Sequence, residues 1–225
     1  EMKDVSKPCL GSTNWSASAD PVGGTPGRRN STIASVTDNS PPLLSNAYPE
    51  SSTAIQLQFN EPLLQASIVS NNFSISPNIG IQSAVLVPPL FDKVTISLTS
   101  PIIIGSIYIV AANGISDCAG NLLNNSSTRI AIPQQAATGD IIVNELLFDP
   151  PPLAQDYVEL YNRSNKVIDA ASLRLANRSS STGVIGSITT LFAEPQLFFP
   201  GQFFTFTTDA RATRMAYTVA DTTHL

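Results

Sequence analysis

The stretch DIIVNELLFDPPPLAQDYVELYN, residues 140–162, contains two segments with the pattern of β-strands, joined by a proline-rich loop. In YVELYN, the apolar Val158 and Leu160 alternate with polar and aromatic residues, a period of two that turns one set toward a core. The preceding segment, IIVNELLF, is almost wholly apolar, which indicates a strand buried on both faces. This part of the chain is therefore expected to form β-structure.

Carboxylates are unusually frequent in the same stretch. Glu159 shares a strand face with Tyr157 and Tyr161, and Glu145 lies on the neighbouring strand. Two facing carboxylates suit a Ca²⁺ ion or general acid–base chemistry, but no other pattern in the sequence builds a catalytic cleft. We favour the alternative in which the backbone or arginine bonds the carboxylates of Glu145 and Glu159. We retain Glu145, Tyr157, Glu159 and Tyr161 as candidate contacts for a carbohydrate or a protein.

Composition points to an all-β protein. Gly and Pro are frequent among the 225 residues (12 and 17), and only 13% of residues are charged. Segments such as TAIQLQF (53–59) and DKVTISLT (92–99) alternate with a period of two. We predict two immunoglobulin-like Greek-key β-sandwiches, at residues 33–132 and 139–225, with a 133–138 linker and an N-terminal extension, residues 1–32.

Charge and hydropathy exclude two classes of partner. The net charge is −5, and no cluster of Lys or Arg exceeds a pair, so phosphate neutralisation for nucleic-acid binding is lacking. No apolar run approaches the ~18 residues of a membrane span. The segment EMKDVSKPCLG has no apolar signal core, and the composition favours a mature or excised part of a secreted protein over a cytosolic one.

The two cysteines, Cys9 and Cys118, lie in predicted loops. We favour unpaired thiols over a Cys9–Cys118 disulfide, because spacing alone cannot establish a bond. The only histidine is His224, so the sequence offers very few residues for a Cys–His nucleophile or a Cys/His zinc site.

The loop GISDCAGN (114–121) offers oxygen ligands. Asp117 and Asn121, with Asp38 at the same end of the sandwich, are candidate Ca²⁺ ligands. The alternative that we favour is a turn in which Asp117 and Asn121 bond their own backbone while Gly120 supplies a positive φ. No other cofactor is expected.

The motifs FNEPL, NFSIS, VTISLTSPIIIGSIYIV and GISDCAGN make residues 33–132 resemble a bacterial S-layer-type immunoglobulin-like domain. The motifs IIVNELLFDPPPLAQDYVELYN, KVIDAASLRLAN and LFFPGQFFTFTTD make residues 139–225 resemble a lamin-tail domain, an immunoglobulin-type sandwich that ends incomplete here. Residues 12–31 resemble the closing segment of such a domain.

These resemblances imply non-catalytic spacer, adhesion or presentation modules of a larger secreted or cell-surface protein of Bacteroidetes-like bacteria, on the extracellular side of the outer membrane. The implied partners are neighbouring modules and surface glycans or proteins. The alternatives are a carbohydrate- or protein-binding module and an accessory region of a secreted hydrolase. We also expect residues 1–31 to add a strand to residues 139–225, within one chain or in a strand-swapped homodimer.

Overall fold

The structure of the protein, a computed structural model, describes residues 1–7, 10–152 and 154–217. The chain divides into two compact units, Glu1–Ala131 and Ile132–Leu225. Both units are built from antiparallel strands, with 3₁₀ turns and one short α-helix. The all-β prediction is confirmed.

Within its described residues, the first unit contains nine strands and three 3₁₀ turns. The strands are β1 Leu44–Ser51, β2 Ala54–Phe59, β3 Phe73–Ser76, β4 Ile81–Val87, β5 Lys93–Leu98, β6 Tyr108–Ala112, β7 Ile115–Ser116, β8 Leu122–Leu123 and β9 Ser126–Ile130. The 3₁₀ turns are Gly11–Asn14, Gln65–Ser67 and Ser70–Asn72.

A four-stranded and a three-stranded sheet form the body of the first unit. Their strand orders are β1-β2-β5-β4 and β3-β6-β9, and the chain crosses between them after β2, β3 and β5. In the β2–β5 pair, Ile55 lies opposite Ile96, and both side chains are completely buried. Burying one such side chain contributes about 1.5–3 kcal/mol, so the alternating apolar residues of these strands stabilise the packed sheets.

The second sheet contributes the opposite side of this core. Val110 in β6 pairs with Ile75 in β3, and Tyr108 pairs with Ile130 in β9. All four side chains are buried. The short β7–β8 pair follows β6 directly and positions the loop between Ser116 and Leu122.

The N-terminal extension belongs to the first unit. The buried amide of Asn14 donates to the carbonyl oxygens of Asp4 at 2.8 Å and Lys7 at 2.7 Å, and an isolated bridge joins Met2 to Trp15. Local hydrogen bonds around Asn14 order this segment. The addition of a strand from residues 1–31 to residues 139–225, within one chain or between two molecules, stays a prediction.

Over residues 132–152 and 154–217, the second unit contains seven strands, one 3₁₀ turn and one α-helix. They are β10 Ile141–Leu147, β11 Tyr157–Asn162, β12 Ile168–Asp169, the 3₁₀ turn Ala170–Ser172, β13 Arg174–Arg178, β14 Ile185–Thr190, β15 Leu197–Phe198, β16 Phe203–Thr207 and α1 Ala210–Ala216. Asp209 caps α1, because its side chain accepts a bond from the backbone of Ala212. No helix in the described ranges has the length and hydropathy needed to cross a membrane.

Strand β11 is the centre of a three-stranded sheet, with β10 and β16 on either side. Leu160 pairs with Phe204, and the Phe204 ring stacks on Phe198 with 4.2 Å between ring centres. Ala170 joins these three buried residues in one core cluster. Leu160 of YVELYN therefore points toward the core, as the alternation of this segment predicts.

Strand β10 departs from its prediction of burial on both faces. The side chains of Val143, Leu146 and Phe148 are 55%, 58% and 78% exposed. The reason is topological, since β10 lies at the edge of its sheet and has β11 as its one paired neighbour. An apolar run shows that a strand can be buried, but burial requires a second layer.

Apolar residues of β10, β11 and β16 also line a cavity of about 440 Å³ together with the β13–β14 hairpin. Leu146, Val158 and Phe206 contribute from the three-stranded sheet, and Leu175 and Leu191 contribute from the other side. The core cluster of this unit is therefore open toward β10.

Two neighbouring phenylalanines of β16 provide a test of this packing. We expect Phe204→Ala to lower the free energy of unfolding of the second unit by about 3–5 kcal/mol, because it removes a fully buried ring. Phe203→Ala, at a side chain that is 45% exposed, is the matched control and is expected to cost under about 1.5 kcal/mol. Urea titration followed by circular dichroism measures both, and equal losses would contradict this core assignment.

Candidate functional site

Three carboxylates meet at one end of the first unit. Asp38 precedes β1, Glu61 follows β2, and Asp117 follows β7. One oxygen from each lies within 4.8 Å of the others. Asp117 is buried, and Asp38 and Glu61 are half-buried.

Asp117 holds its own loop in shape. Its Oδ1 accepts hydrogen bonds from the backbone N–H groups of Ala119 and Asn121, each at 2.8 Å. Gly120 has a φ of +92°, a conformation that costs glycine little. The buried carboxylate of Asp117 thus bonds the backbone of its own loop, as the predicted turn requires, whereas the Asn121 side chain does not.

Asn121 is placed differently from its prediction as a cation ligand. Its Nδ2 donates to Asp117 Oδ2 at 2.8 Å and to the carbonyl oxygen of Asp38 at 3.1 Å. The side chain therefore donates to the Asp117 carboxylate and to the backbone carbonyl of Asp38, and so connects the 114–121 loop to the segment that precedes β1. In this arrangement it acts as a cross-link.

Glu61 is the member of this cluster that the sequence reasoning missed. Burial and the neighbouring charges of Asp38 and Asp117 raise the pKa of Glu61 from its ordinary value of 4.5 to about 7. The signal was present in the motif FNEPL, whose acidic residue lies two positions beyond the last residue of β2, at the same end of the unit as the GISDCAGN loop.

A cation would relieve the repulsion among the three carboxylates. Hard oxygen ligands in this number suit Ca²⁺, which takes six to eight oxygens. Asp38, Glu61 and Asp117 would hold it, although both oxygens of Asp117 already accept hydrogen bonds. Ca²⁺ binding here stays a prediction.

Cys118 lies within the same loop and is disulfide-bonded. The prediction of unpaired thiols is therefore wrong for Cys118. The sequence contains one other cysteine, Cys9, which lies outside the described residues. Sequence spacing could not reveal this bond, because a disulfide depends on how close two distant segments come in the fold.

The second unit brings the carboxylates of the opening stretch together. Glu145 and Glu159 are register partners in the β10–β11 pair, and Thr205 is the partner of Glu159 in β16. A register shift between Val143 and Glu145 leaves Asn144 without a register partner.

Neutral side chains bind both carboxylates. Tyr157 donates its hydroxyl to Glu145 at 2.5 Å, and Asn144 Nδ2 donates to Glu159 at 2.6 Å. Thr205 adds a longer bond of 3.4 Å to Glu159. Tyrosine, asparagine and threonine side chains therefore bond these carboxylates, in place of the backbone or arginine groups that we expected.

The hydrogen bond to Glu145, with burial and the nearby negative charge, raises the pKa of Tyr157 to about 12. Tyr157 also makes an edge contact with Tyr217 at 5.7 Å. The ring of Tyr161 stacks on Phe203, with 4.6 Å between ring centres and 26° between ring planes. All four predicted contact residues therefore lie on one face of the sheet, together with Phe203 and Thr205.

The chain shows structural similarity to crystal structures of bacterial S-layer proteins. For the N-terminal part of the S-layer protein SbsC, the TM-score is 0.40 at 17% identity, over 72% of this chain and 44% of that chain. For rSbsC(31-844), the TM-score is 0.39 at 13% identity, over 74% of this chain and 32% of that chain. For SbsC domains 1-6, it is 0.39 at 14% identity, over the same shares.

The matches thus span less than half of those chains, and similarity at this level assigns neither a family nor a function. No protein-family model matches the chain. No curated protein matches it either.

The cross-link made by Asn121 is open to direct measurement. We expect Asn121→Ala to lower the free energy of unfolding of the first unit by about 1–3 kcal/mol, because Asp117 and the Asp38 carbonyl lose a shared donor. Asn124, an exposed asparagine nearby, provides the control, and Asn124→Ala is expected to change stability by under about 0.5 kcal/mol. Urea titration measures the free energy of unfolding of the two variants, and an unchanged value for Asn121→Ala would exclude the cross-link.

The pKa of Glu61 predicts a pH dependence. Since its pKa is near 7 in the folded protein and 4.5 ordinarily, the folded state binds more protons between these values. This contribution to stability is complete below about pH 4.5 and is lost as the pH rises through about 7. We expect the melting temperature of the native chain to fall over this range relative to that of Glu61→Gln.

The native chain and Glu61→Gln also test whether the three carboxylates bind a cation. If the three carboxylates hold Ca²⁺, millimolar CaCl₂ at pH 8 will raise the melting temperature of the native chain more than that of Glu61→Gln. An equal response of both proteins would remove Glu61 from the cation site. Identical pH profiles for both would contradict the raised pKa.

Proposed function

We propose that this chain is a non-catalytic structural part of an exported protein, with the two units acting as spacer or presentation modules on a bacterial surface. The observation that carries the exported location is the disulfide-bonded state of Cys118. Disulfides persist in oxidising compartments such as the periplasm, the cell surface and the extracellular space.

The use of the carboxylates supports the structural role. Asp117 bonds its own loop, and Asn121 connects this loop to the segment that precedes β1. Glu145 and Glu159 are each held by neutral side chains. Groups committed in this way order loops and sheet faces, which is what a module requires in order to keep its two ends apart.

The finer identity in this proposal follows from the sequence motifs. Residues 33–132 form the S-layer-type immunoglobulin-like module, and residues 139–225 form the lamin-tail module, with neighbouring modules of the same protein as partners. The location is the extracellular side of the outer membrane in Bacteroidetes-like bacteria, and the biological role is adhesion or presentation.

Reduction tests the exported role. We expect a reductant to lower the melting temperature of the first unit, corresponding to a loss of about 2–5 kcal/mol, because it releases a constraint on the unfolded chain. Cys118→Ser is the control, since its melting temperature should not respond to the reductant. Thiol labelling of the unreduced native protein should find no free Cys118, and full labelling without unfolding would contradict the proposal.

A hydrolase panel addresses the alternative of an accessory or catalytic region. Turnover of glycoside, ester or peptide substrates that is lost in Glu145→Gln or Glu159→Gln would overturn the non-catalytic assignment. Unchanged background rates in all three proteins support it.

A further inference from the structure

The three-stranded sheet of the second unit has a second face, opposite the core cluster. Because strands alternate their side chains, Leu160 and Phe204 point inward, and the residues next to them along β11 and β16 point outward. We call this surface the outer face, and its residues are Glu145, Tyr157, Glu159, Tyr161, Phe203 and Thr205.

An aromatic platform occupies one end of the outer face. Tyr161 and Phe203 are register partners whose rings are nearly parallel, 4.6 Å apart. Phe203 is 45% exposed, and Tyr161 is half-buried. Because the two rings stack on each other, the face of Phe203 that points away from Tyr161 is the one left for positively polarised C–H groups.

Oriented hydrogen-bond acceptors lie beside this platform. Asn144 and Thr205 hold the carboxylate of Glu159, and Tyr157 holds that of Glu145. A carboxylate offers about four acceptor positions, so each retains capacity for further donors. Side chains held by their neighbours lose less entropy on binding a ligand than freely rotating ones.

Charge limits the class of ligand. Neither Glu145 nor Glu159 forms an ion pair within the described residues, so the outer face carries uncompensated negative charge. This charge repels phosphates, nucleic acids and acidic sugars. A neutral molecule with many hydroxyl donors and an apolar C–H face meets both the platform and the acceptors.

The spacing suits an extended chain of rings. Outward residues on one strand are separated by about 6.5–7 Å, so Tyr161, Glu159 and Tyr157 follow one another along β11 as platform, acceptor and second aromatic group. We infer that the outer face binds a neutral oligosaccharide, with a sugar ring stacked on the exposed side of the Tyr161–Phe203 pair and its hydroxyl groups bonded to Glu159 and Glu145. This inference does not depend on the exported role of the chain.

Affinity electrophoresis of the full chain tests this inference. The probes are hydroxyethyl cellulose, xylan, galactomannan, soluble starch and a β-1,3-glucan, each cast in a native gel. We expect retardation by at least one probe, unchanged at high salt because stacking and neutral hydroxyl contacts are not screened. Tyr161→Ala and Phe203→Ala should each weaken binding by about tenfold, the effect of losing one aromatic stacking contact.

Two further variants separate recognition from folding. Tyr161→Phe keeps the ring and should retain most of the binding, whereas Phe148→Ala removes a ring that is 78% exposed outside the outer face and should bind as the native chain does. Melting curves confirm that each variant is folded. Absence of retardation by all five probes, or retardation that survives in Tyr161→Ala together with Phe203→Ala, would overturn the inference.

Discussion

A strand that buries one face must alternate apolar and polar side chains, and this constraint organises both units. In the first unit it turns Ile55 and Ile96 toward a second sheet that covers them. In the second unit it turns Leu160 and Phe204 toward Phe198 and leaves Glu159 and Thr205 outside. Core and candidate ligand surface are therefore two sides of the same sheet, separated by a single residue along the strand.

The buried carboxylate of Asp117 has a comparable role in the loops of the first unit. A buried charge is costly unless hydrogen bonds satisfy it, and here backbone N–H groups and Asn121 do so. The same bonds fix the position of Cys118, which lies between Asp117 and Ala119 in the chain. Glu61 shows the cost of this arrangement, since a third carboxylate beside two others is favoured in its protonated form.

The two carboxylate clusters differ in the groups that surround their carboxylates. In the first unit three acidic groups approach one another, and burial together with the charges of Asp38 and Asp117 raises the pKa of Glu61. On the outer face, Asn144, Thr205 and Tyr157 donate hydrogen bonds to Glu159 and Glu145. The first arrangement favours a proton on Glu61, whereas the carboxylates of the outer face keep acceptor positions for further hydrogen-bond donors.

Sequence by itself determined the all-β class, the strands with clean alternation, the turn at Asp117 and the positive φ of Gly120. Each of these depends on residues close together in the chain, where side-chain period and turn chemistry act directly. The tertiary structure alone decided that Glu61 joins Asp38 and Asp117, that Cys118 is disulfide-bonded and that β10 is exposed. The physical reason is that periodicity shows which residues share a face, whereas only the packing of distant segments decides what covers that face.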